Sequence, residues 1–360
     1  MSDVSAIVLS VGEPSTSRAV ASLAAQTLAP HQVILVEHVS PFFRAMNAGV
    51  RQVSTPFFVQ VDADMILDPT CLASLRSVVR DDTGVSVGQL RDPLLGQVVG
   101  VKLFRTECFR NAGFTDSISP DTDFIAAIRR RGWKTETFRD TDSALLPPTV
   151  GEHRPDYTPA YTFRKHLLEG SRYRYRGARQ GLRWRVGRLE ESTHEMALLA
   201  QIALAHGFFL PGERDDLTPG PDDPRAAKLV ALLGSGARTD PERAGLLPLP
   251  PGDRLRDLFR RFTRGGRDFA NAGTGAGLRE VLAGLAGVER DWRVLVAKLG
   301  FGHGLLTASG SPTSPTKEER ALEIFLTLGK GGRPGPGRLL LARAARRIRG
   351  LRISGERLQW

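Results

Sequence analysis

The chain has 360 residues, of which 41% are hydrophobic and 25% charged, a composition typical of a folded globular protein. It has no apolar run of about 18 residues, and Met1–Val4 does not begin a basic segment followed by an apolar one, so we expect neither a transmembrane helix nor a secretory signal. Two cysteines cannot form a disulfide framework, and a reducing cytosol is the expected compartment.

The net charge of +11 is concentrated in one part of the chain. Residues 1–150 carry 14 basic and 16 acidic side chains, whereas residues 151–360 carry 36 and 23. The basic part indicates an anionic partner, such as lipid headgroups, a lipid-linked diphosphate or nucleic acid. The alternative is an arginine-rich surface that only faces solvent.

Strands and helices alternate through the first 140 residues. Apolar runs predict strands at 5–10, 32–36, 56–61, 97–105 and 133–138, and helical spacing predicts helices at 17–27, 44–52, 69–80, 106–113 and 122–131. This order predicts an α/β fold with a mainly parallel central sheet.

The chain beyond residue 160 is mainly helical in pattern. Helices are expected at 163–187 and 190–206, loops at 215–224, 309–316 and 331–337, and a basic amphipathic helix at 338–353. No internal repeat with a period of 20–50 residues is evident.

Asp62 and Asp64 follow the apolar strand at 56–61 directly. Ligands of open α/β sheets bind at the carboxyl ends of the strands. Two carboxylates one residue apart point to the same side of an extended backbone and form a hard-oxygen site for Mg²⁺ or Mn²⁺. Such an ion can bridge the phosphates of a nucleoside diphosphate. The alternative is an ordinary solvated turn between a strand and a helix.

Further short motifs surround this pair in a fixed order. They are Ser10 and Glu13 after the first strand, SLAAQT at 22–27, Glu37 after the second strand, RAMNAG at 44–49, NAGFTD at 111–116 and PDTDF at 120–124. Over about residues 4–155 this order resembles glycosyltransferase family 2. The resemblance implies a GT-A fold and a metal-assisted, inverting transfer of a sugar from a nucleotide-diphosphate sugar, here expected to be a UDP-sugar.

The resemblance also implies roles for individual residues. Those expected to bind the nucleotide sugar are Ser10, Glu13, Glu37, Arg44, Asn47 and Asp62, with Glu37 facing the base. Asp62, Asp64 and His153 would hold Mn²⁺ or Mg²⁺, and Asp121 would be the general base. Pro120 stands where the family usually has Glu. As alternatives, Asp121 would cap the following helix, and His153 would be a surface residue of a polar loop.

Four residues are expected on the acceptor side: Asp123, and Gln180, Arg183 and Trp184 of a QxxRW sequence like that of processive, membrane-embedded relatives. A helix that packs on the catalytic domain is the alternative for the last three. The expected acceptor is a glycan or a lipid-linked sugar of the cell envelope, which would place the protein in the cytoplasm, peripheral at an anionic membrane surface.

We therefore predict three parts: a GT-A catalytic domain at 1–155, a basic helical extension packing on it at 156–215, and a helical region of unknown role at 216–360. A nucleotidyltransferase would need a glycine-rich basic loop, and the loop after the first strand has only Gly12 and no lysine. A catalytically inactive scaffold and a basic nucleic-acid-binding protein are also compatible with the sequence. The near-neutral first part argues against nucleic acid as the partner.

Overall fold

The computed structural model describes residues 2–138, 148–176, 179–209, 224–227, 255–272 and 292–307. The chain divides into two compact units, one ending at Pro155 and the other beginning at Asp156. Most of the loop expected at 215–224 lies outside the described residues, as do the loops at 309–316 and 331–337 and the basic helix at 338–353.

The first unit alternates strands and helices, which confirms the predicted α/β fold class. Its strands are β1 Val4–Ser10, β2 Val33–Glu37, β3 Phe57–Asp62, β4 Met65–Leu67, β5 Thr83–Asp92, β6 Gly96–Arg105, β7 Lys134–Thr137 and β8 Thr149–His153. Its helices are α1 Thr16–Ala24, α2 Phe42–Val50, α3 Cys71–Ser77 and α4 Pro120–Arg129, with a 3₁₀ helix at Thr106–Phe109. Three of these strands, β4, β5 and β8, have no counterpart in the sequence prediction.

The strands form one sheet in the order β2-β1-β3-β6-β5-β8-β4, with β7 also paired to β5. β1 is parallel to β2 and β3, and β5 is parallel to β7 and β8. β6 is antiparallel to β3 and β5, and β4 is antiparallel to β8. The sheet is therefore mixed. The three-residue loop between β5 and β6, which leads into Gly96 with φ 74°, is too short for any pairing but an antiparallel hairpin.

Apolar residues cover both faces of this sheet. Alternate residues of β1 and β3, such as Val8 and Val61, enter one core with the apolar residues of α1 and α3. Their neighbours, such as Ile7 and Phe58, enter a second core with the apolar residues of α2 and α4. Because successive side chains of a strand point to opposite faces, both layers of helices are anchored by the same strands.

The second unit is helical. It comprises α5 Pro159–Arg176, α6 Arg179–Glu191, α7 Ala197–Phe209, a helical turn at 224–227, α8 Leu255–Ala272 and α9 Trp292–Thr307. A partly buried ion pair between Glu169 and Arg185 joins α5 to α6, and the Tyr173 hydroxyl contacts both side chains. Among the described helices, none has the length and apolar character needed to cross a bilayer.

His166 makes the second unit sensitive to acid. Its Nδ1 bonds to the Thr162 carbonyl at 2.8 Å, and burial lowers the pKa of His166 to about 4. In the unfolded chain, His166 binds a proton near pH 6.5. Above that pH the residue does not lower the free energy of unfolding, whereas between pH 6.5 and pH 4 it lowers that free energy increasingly. At pH 5 the loss should be roughly 2 kcal/mol.

We expect His166→Phe to remove that part of the pH dependence. The measurement is urea unfolding of the wild type and the variant at pH 7 and pH 5. His31→Phe, which replaces an exposed histidine, is the control. An unchanged difference between the two pH values in His166→Phe would contradict this origin of the acid sensitivity.

Candidate active site

The carboxyl ends of β1, β2 and β3 form one edge of the sheet. In the parallel register Ser10 lies opposite Glu37, and Leu9 lies opposite Asp62. Three residues expected at a nucleotide sugar are therefore brought together by strand pairing alone. This edge is where open α/β sheets bind their ligands.

The loop after β1 is held by its own polar side chains. The Glu13 carboxylate accepts hydrogen bonds from the Val11 N–H at 2.7 Å and from the Ser10 hydroxyl at 3.0 Å. Gly12 has φ 98°, and a Cβ built there would lie 2.9 Å from the His38 ring. Ser10 and Glu13 thus shape the loop, and glycine is required where the loop passes over His38.

Glu37 and Arg44 carry exposed charges at this edge. Glu37 ends β2, and Arg44 lies in the first turn of α2 with its guanidinium 5.7 Å from the Phe43 ring centre. Neither side chain forms an ion pair within the described part of the chain. Both are therefore accessible to a ligand.

Asn47 uses both ends of its amide within the protein. Its Nδ2 donates to the Phe114 carbonyl at 2.8 Å, and its Oδ1 accepts from the Phe114 N–H at 3.0 Å. The amide fixes residues 111–116, which lead into α4, to helix α2. The structure gives the Asn47 amide a bracing role, and its contact with a nucleotide sugar stays a prediction.

His153 lies beside Asp64 because β8 pairs with β4. Met65 is opposite His153 in this pairing, and the Arg154 N–H donates to the Asp64 carbonyl at 2.7 Å. The result is a distance of 3.2 Å between His153 Nε2 and Asp64 Oδ2. Two residues that are far apart in sequence thus come into contact.

Asp92 is a buried member of this group that the sequence prediction missed. Its Oδ2 lies 2.5 Å from His153 Nδ1, and its Oδ1 accepts hydrogen bonds from the N–H groups of Leu94 and Leu95. Because the Nδ1 side of the His153 ring is held at Asp92, its Nε2 faces Asp64. An Asp before a proline is typical of a turn, so only the pairing of β5 with β8 reveals its role.

The donor types at this point fit a divalent cation. Burial, and then the charge of Asp64, raise the pKa of Asp62, while Gln60, Lys102 and His153 lower it. A cation would offset the cost of keeping both carboxylates ionised. Two carboxylates, together with an imidazole anchored by a third carboxylate, are a donor set that Mn²⁺ accepts. In the described ranges, no three such side chains already surround a common point.

Lys102 forms an ion pair with Asp121, its charge also acts on Asp62, and it too was missed. It lies on β6 opposite Gln60 of β3, with only 11% of its side chain exposed, and its Nζ is 3.3 Å from Asp121 Oδ2. The Gln60 Oε1 beside it is buried and has no hydrogen-bond partner among the described residues. A lone lysine in the run QVVGVKLFR was a signal that sequence reasoning left unused.

Asp121 does not cap α4. The N-cap is Ser119, and Pro120 occupies the first helical turn, where a missing N–H costs nothing. The Ser119 hydroxyl donates to Asp121 Oδ1 at 3.4 Å. The capping alternative for Asp121 is therefore wrong, and its carboxylate lies on the first turn beside Lys102.

The residues expected on the acceptor side are divided between the two units, with Asp123 in the first and Gln180, Arg183 and Trp184 in the second. Asp123 is half-buried on the first turn of α4. Arg183 and Trp184 lie on α6 of the second unit, where Trp184 is 50% exposed and has the Arg185 guanidinium 5.5 Å from its ring. The side chain of Gln180 is outside the described part of the chain.

Comparisons with known proteins give only structural similarities. No model of a known protein family matches the chain, and no curated protein matches it. The mannosyltransferase PcManGT from Pyrobaculum calidifontis, in complex with GDP-Man and Mn²⁺, is 16% identical over 83% of this chain and 85% of that chain, with a TM-score of 0.42.

TarS 1–349 from S. aureus is 12% identical over 86% of this chain and 90% of that chain, with a TM-score of 0.34. TarS 1–349 in complex with UDP is 13% identical over 86% and 91%, with a TM-score of 0.32. With TM-scores below 0.5, these similarities give no residue-level equivalences.

We predict that Asn47→Ala destabilises the first unit by about 1–3 kcal/mol, because it leaves the Phe114 N–H and carbonyl without partners. Chemical unfolding of the full chain measures the loss. Gln52→Ala, which removes a surface bond of 3.3 Å to the Ala48 carbonyl, should stay within about 0.5 kcal/mol of wild type. Equal stability of the two variants would refute the bracing role.

Proposed function

We propose that this chain is a glycosyltransferase that moves a sugar from a nucleotide-diphosphate sugar to an acceptor hydroxyl. The observation that carries the proposal is the position of Lys102 between two acidic groups. Its ammonium lies 3.3 Å from Asp121 Oδ2, and its charge also lowers the pKa of Asp62. The Lys102 ammonium would thus act both on a donor diphosphate bound at Asp62 and Asp64 and on a base at Asp121.

The donor would lie across the carboxyl ends of β1, β2 and β3. Glu37, exposed at the end of β2, would accept hydrogen bonds from the nucleobase, and Arg44 would approach the ribose or a phosphate. The loop fixed by Ser10 and Glu13 would line the donor site between Glu37 and Arg44. We propose a UDP-sugar as the donor.

Asp62, Asp64 and His153 are the residues that would hold Mn²⁺ or Mg²⁺. When bound, such an ion supplies charge neutralisation for the departing diphosphate. Asp92 would serve this site indirectly, since its carboxylate fixes the His153 ring with Nε2 toward Asp64. Lys102 would add a second positive charge on the side of the sugar.

Asp121 would act as the general base. It would take the proton of the acceptor hydroxyl while that oxygen forms a bond to the anomeric carbon and the bond to the diphosphate breaks. The neighbouring Lys102 ammonium stabilises the ionised carboxylate that this role requires. One displacement of this kind inverts the anomeric configuration.

The acceptor side is proposed from charge and exposure. The 36 basic side chains of residues 151–360 favour a glycan or lipid-linked acceptor that carries phosphate, at the cytoplasmic face of an anionic membrane. Asp123 and the segment with Gln180, Arg183 and Trp184 would contact it. An exposed indole such as Trp184 can stack on a sugar ring.

Metal-dependent nucleotide binding is the first expected outcome. Calorimetry with UDP, GDP and dTDP, with and without Mn²⁺, should show one nucleotide binding to the wild type only when the metal is present. Asp64→Ala should abolish this binding. Asp92→Asn should weaken it by about 10–100-fold, because the His153 ring loses its anchor.

The matched control is Asp81→Asn, an exposed carboxylate just before β5, at the edge of the sheet opposite the site. It should bind as the wild type does. Folded wild type that binds none of the three nucleotides would overturn the donor site and favour the inactive scaffold or the nucleic-acid-binding alternative.

We further predict that Asp121→Asn separates binding from turnover. Hydrolysis of the matching nucleotide sugar, with water as the acceptor, should fall by about 10²–10⁴-fold because the base is lost. Nucleotide affinity should change little, and Asp81→Asn should hydrolyse the donor at the wild-type rate. Unchanged turnover in Asp121→Asn would exclude this carboxylate as the base.

A further inference from the structure

The helical unit contains a sequence pattern that occurs twice. In the first helix of each pair, Phe163, Arg164 and Gly170 of α5 recur 96 residues later as Phe259, Arg260 and Gly266 of α8. In the second helix, Ala200, His206 and Gly207 of α7 recur 97 residues later as Ala297, His303 and Gly304 of α9. Most of the positions between them are small or apolar, as in AQIALAHGFF and AKLGFGHGLL, although Gln201 and its equivalent Lys298 are polar.

The same contacts recur at the same positions. In the first pair, a Cβ built at Gly170 would meet the Leu204 carbonyl oxygen and, at 2.8 Å, the Phe208 nitrogen. In the second pair, a Cβ built at Gly266 would meet the Phe301 carbonyl oxygen and, at 2.9 Å, the Leu305 nitrogen. Phe301 lies 97 positions after Leu204, and Leu305 lies 97 positions after Phe208. This is the spacing that the sequence pattern requires for the second helix of each pair.

The glycines of the second helices repeat this agreement. A Cβ at Gly207 would clash with the Leu167 carbonyl, and one at Gly304 with the Thr263 carbonyl, which is the residue 96 positions later. In both pairs the helices therefore approach so closely that only glycine fits at the crossing. Two unrelated hairpins would not match in all of these backbone contacts.

Equivalent residues of the two pairs also face each other. His206 and His303 are 3% and 0% exposed, their Nδ1 atoms are 3.3 Å apart and their ring centres are 5.4 Å apart. One position earlier in each helix, a Cβ at Gly302 would lie 3.3 Å from the Cβ of Ala205, its own equivalent. Contacts between a residue and its own counterpart are the signature of a two-fold axis.

Arg225 breaks this symmetry at one point. Its Nη1 lies 3.5 Å from His206 Nε2, and a guanidinium can only donate. The Arg225 guanidinium therefore contacts the His206 ring, while the two imidazoles lie within hydrogen-bond distance of each other.

We propose that the helical unit consists of two copies of one helical hairpin, α5–α7 and α8–α9, which pair about an approximate two-fold axis between α7 and α9. The surface that each hairpin buries at α7 or α9 is an interaction surface whose partner is a second copy of the same hairpin. The fusion of both copies in one chain supplies that partner within the molecule. The paired hairpins do not depend on the proposed catalytic function.

Matched glycine substitutions in the full chain test the equivalence. Gly207→Ala and Gly304→Ala should each lower the Tm on the order of 5 °C, because each places a methyl group on a facing carbonyl. Gly187→Ala on α6, where a Cβ meets nothing within 4 Å, should not lower it. Tolerance of one substitution and not the other would overturn the equivalence of the hairpins.

A disulfide cross-link between α7 and α9 tests the proposed two-fold axis. The variant chain keeps the glycines at the helix crossings, which are Gly170, Gly207, Gly266 and Gly304. On oxidation, Ala205→Cys with Gly302→Cys should form a disulfide, detected as a linked peptide by mass spectrometry. Ala205→Cys with Gly300→Cys is the control, because a Cβ at Gly300 faces Phe259 and not α7. A folded double variant that forms no 205–302 link, or links equally at 205–300, would overturn the paired arrangement.

Discussion

The parallel pairing of β1 with β2 and β3 is the constraint on which the candidate active site depends. Because all three strands run in one direction, their carboxyl ends coincide, and the register sets Ser10 opposite Glu37 and Leu9 opposite Asp62. If the pairing of β3 slipped by one residue, every side chain of β3 would point to the other face of the sheet. Asp62 would then point toward the core that contains Val61. The buried apolar residues of β1 and β3 prevent that slip, so the packing of the core positions the polar edge.

The antiparallel strands complete the site by adding charge from distant parts of the chain. β6 places Lys102 beside the carboxylates, and β8 places His153 between Asp64 and Asp92. The Asp side chains gathered in this partly buried region would repel one another without these partners. The arrangement leaves Asp62 with a raised pKa, which is the electrostatic condition under which a bound cation is most stabilising.

The helical unit is held by a different principle. Its helices approach each other through glycines, and polar pairs such as Glu169 with Arg185 and His206 with His303 join them. Side-chain hydrogen bonds replace water where the helices exclude it. The repeat with a period near 97 residues was not visible as a short-period pattern, since its longest matches lie in two separate helices and the residues between them differ.

From the sequence alone, the alternation of strands and helices in the first part of the chain was predictable, as was the position of Asp62 at the end of a buried strand, because both depend on local periodicity. The mixed sheet, the short strands β4 and β8 and the roles of Asp92 and Lys102 depend on partners far along the chain, 61 residues away in the case of Asp92 and His153. Asn47 shows the same limit, because its amide partner is Phe114 on another segment. Local sequence sets which way a side chain points along its own strand or helix, but only the tertiary pairing decides which charge or carbonyl it meets there.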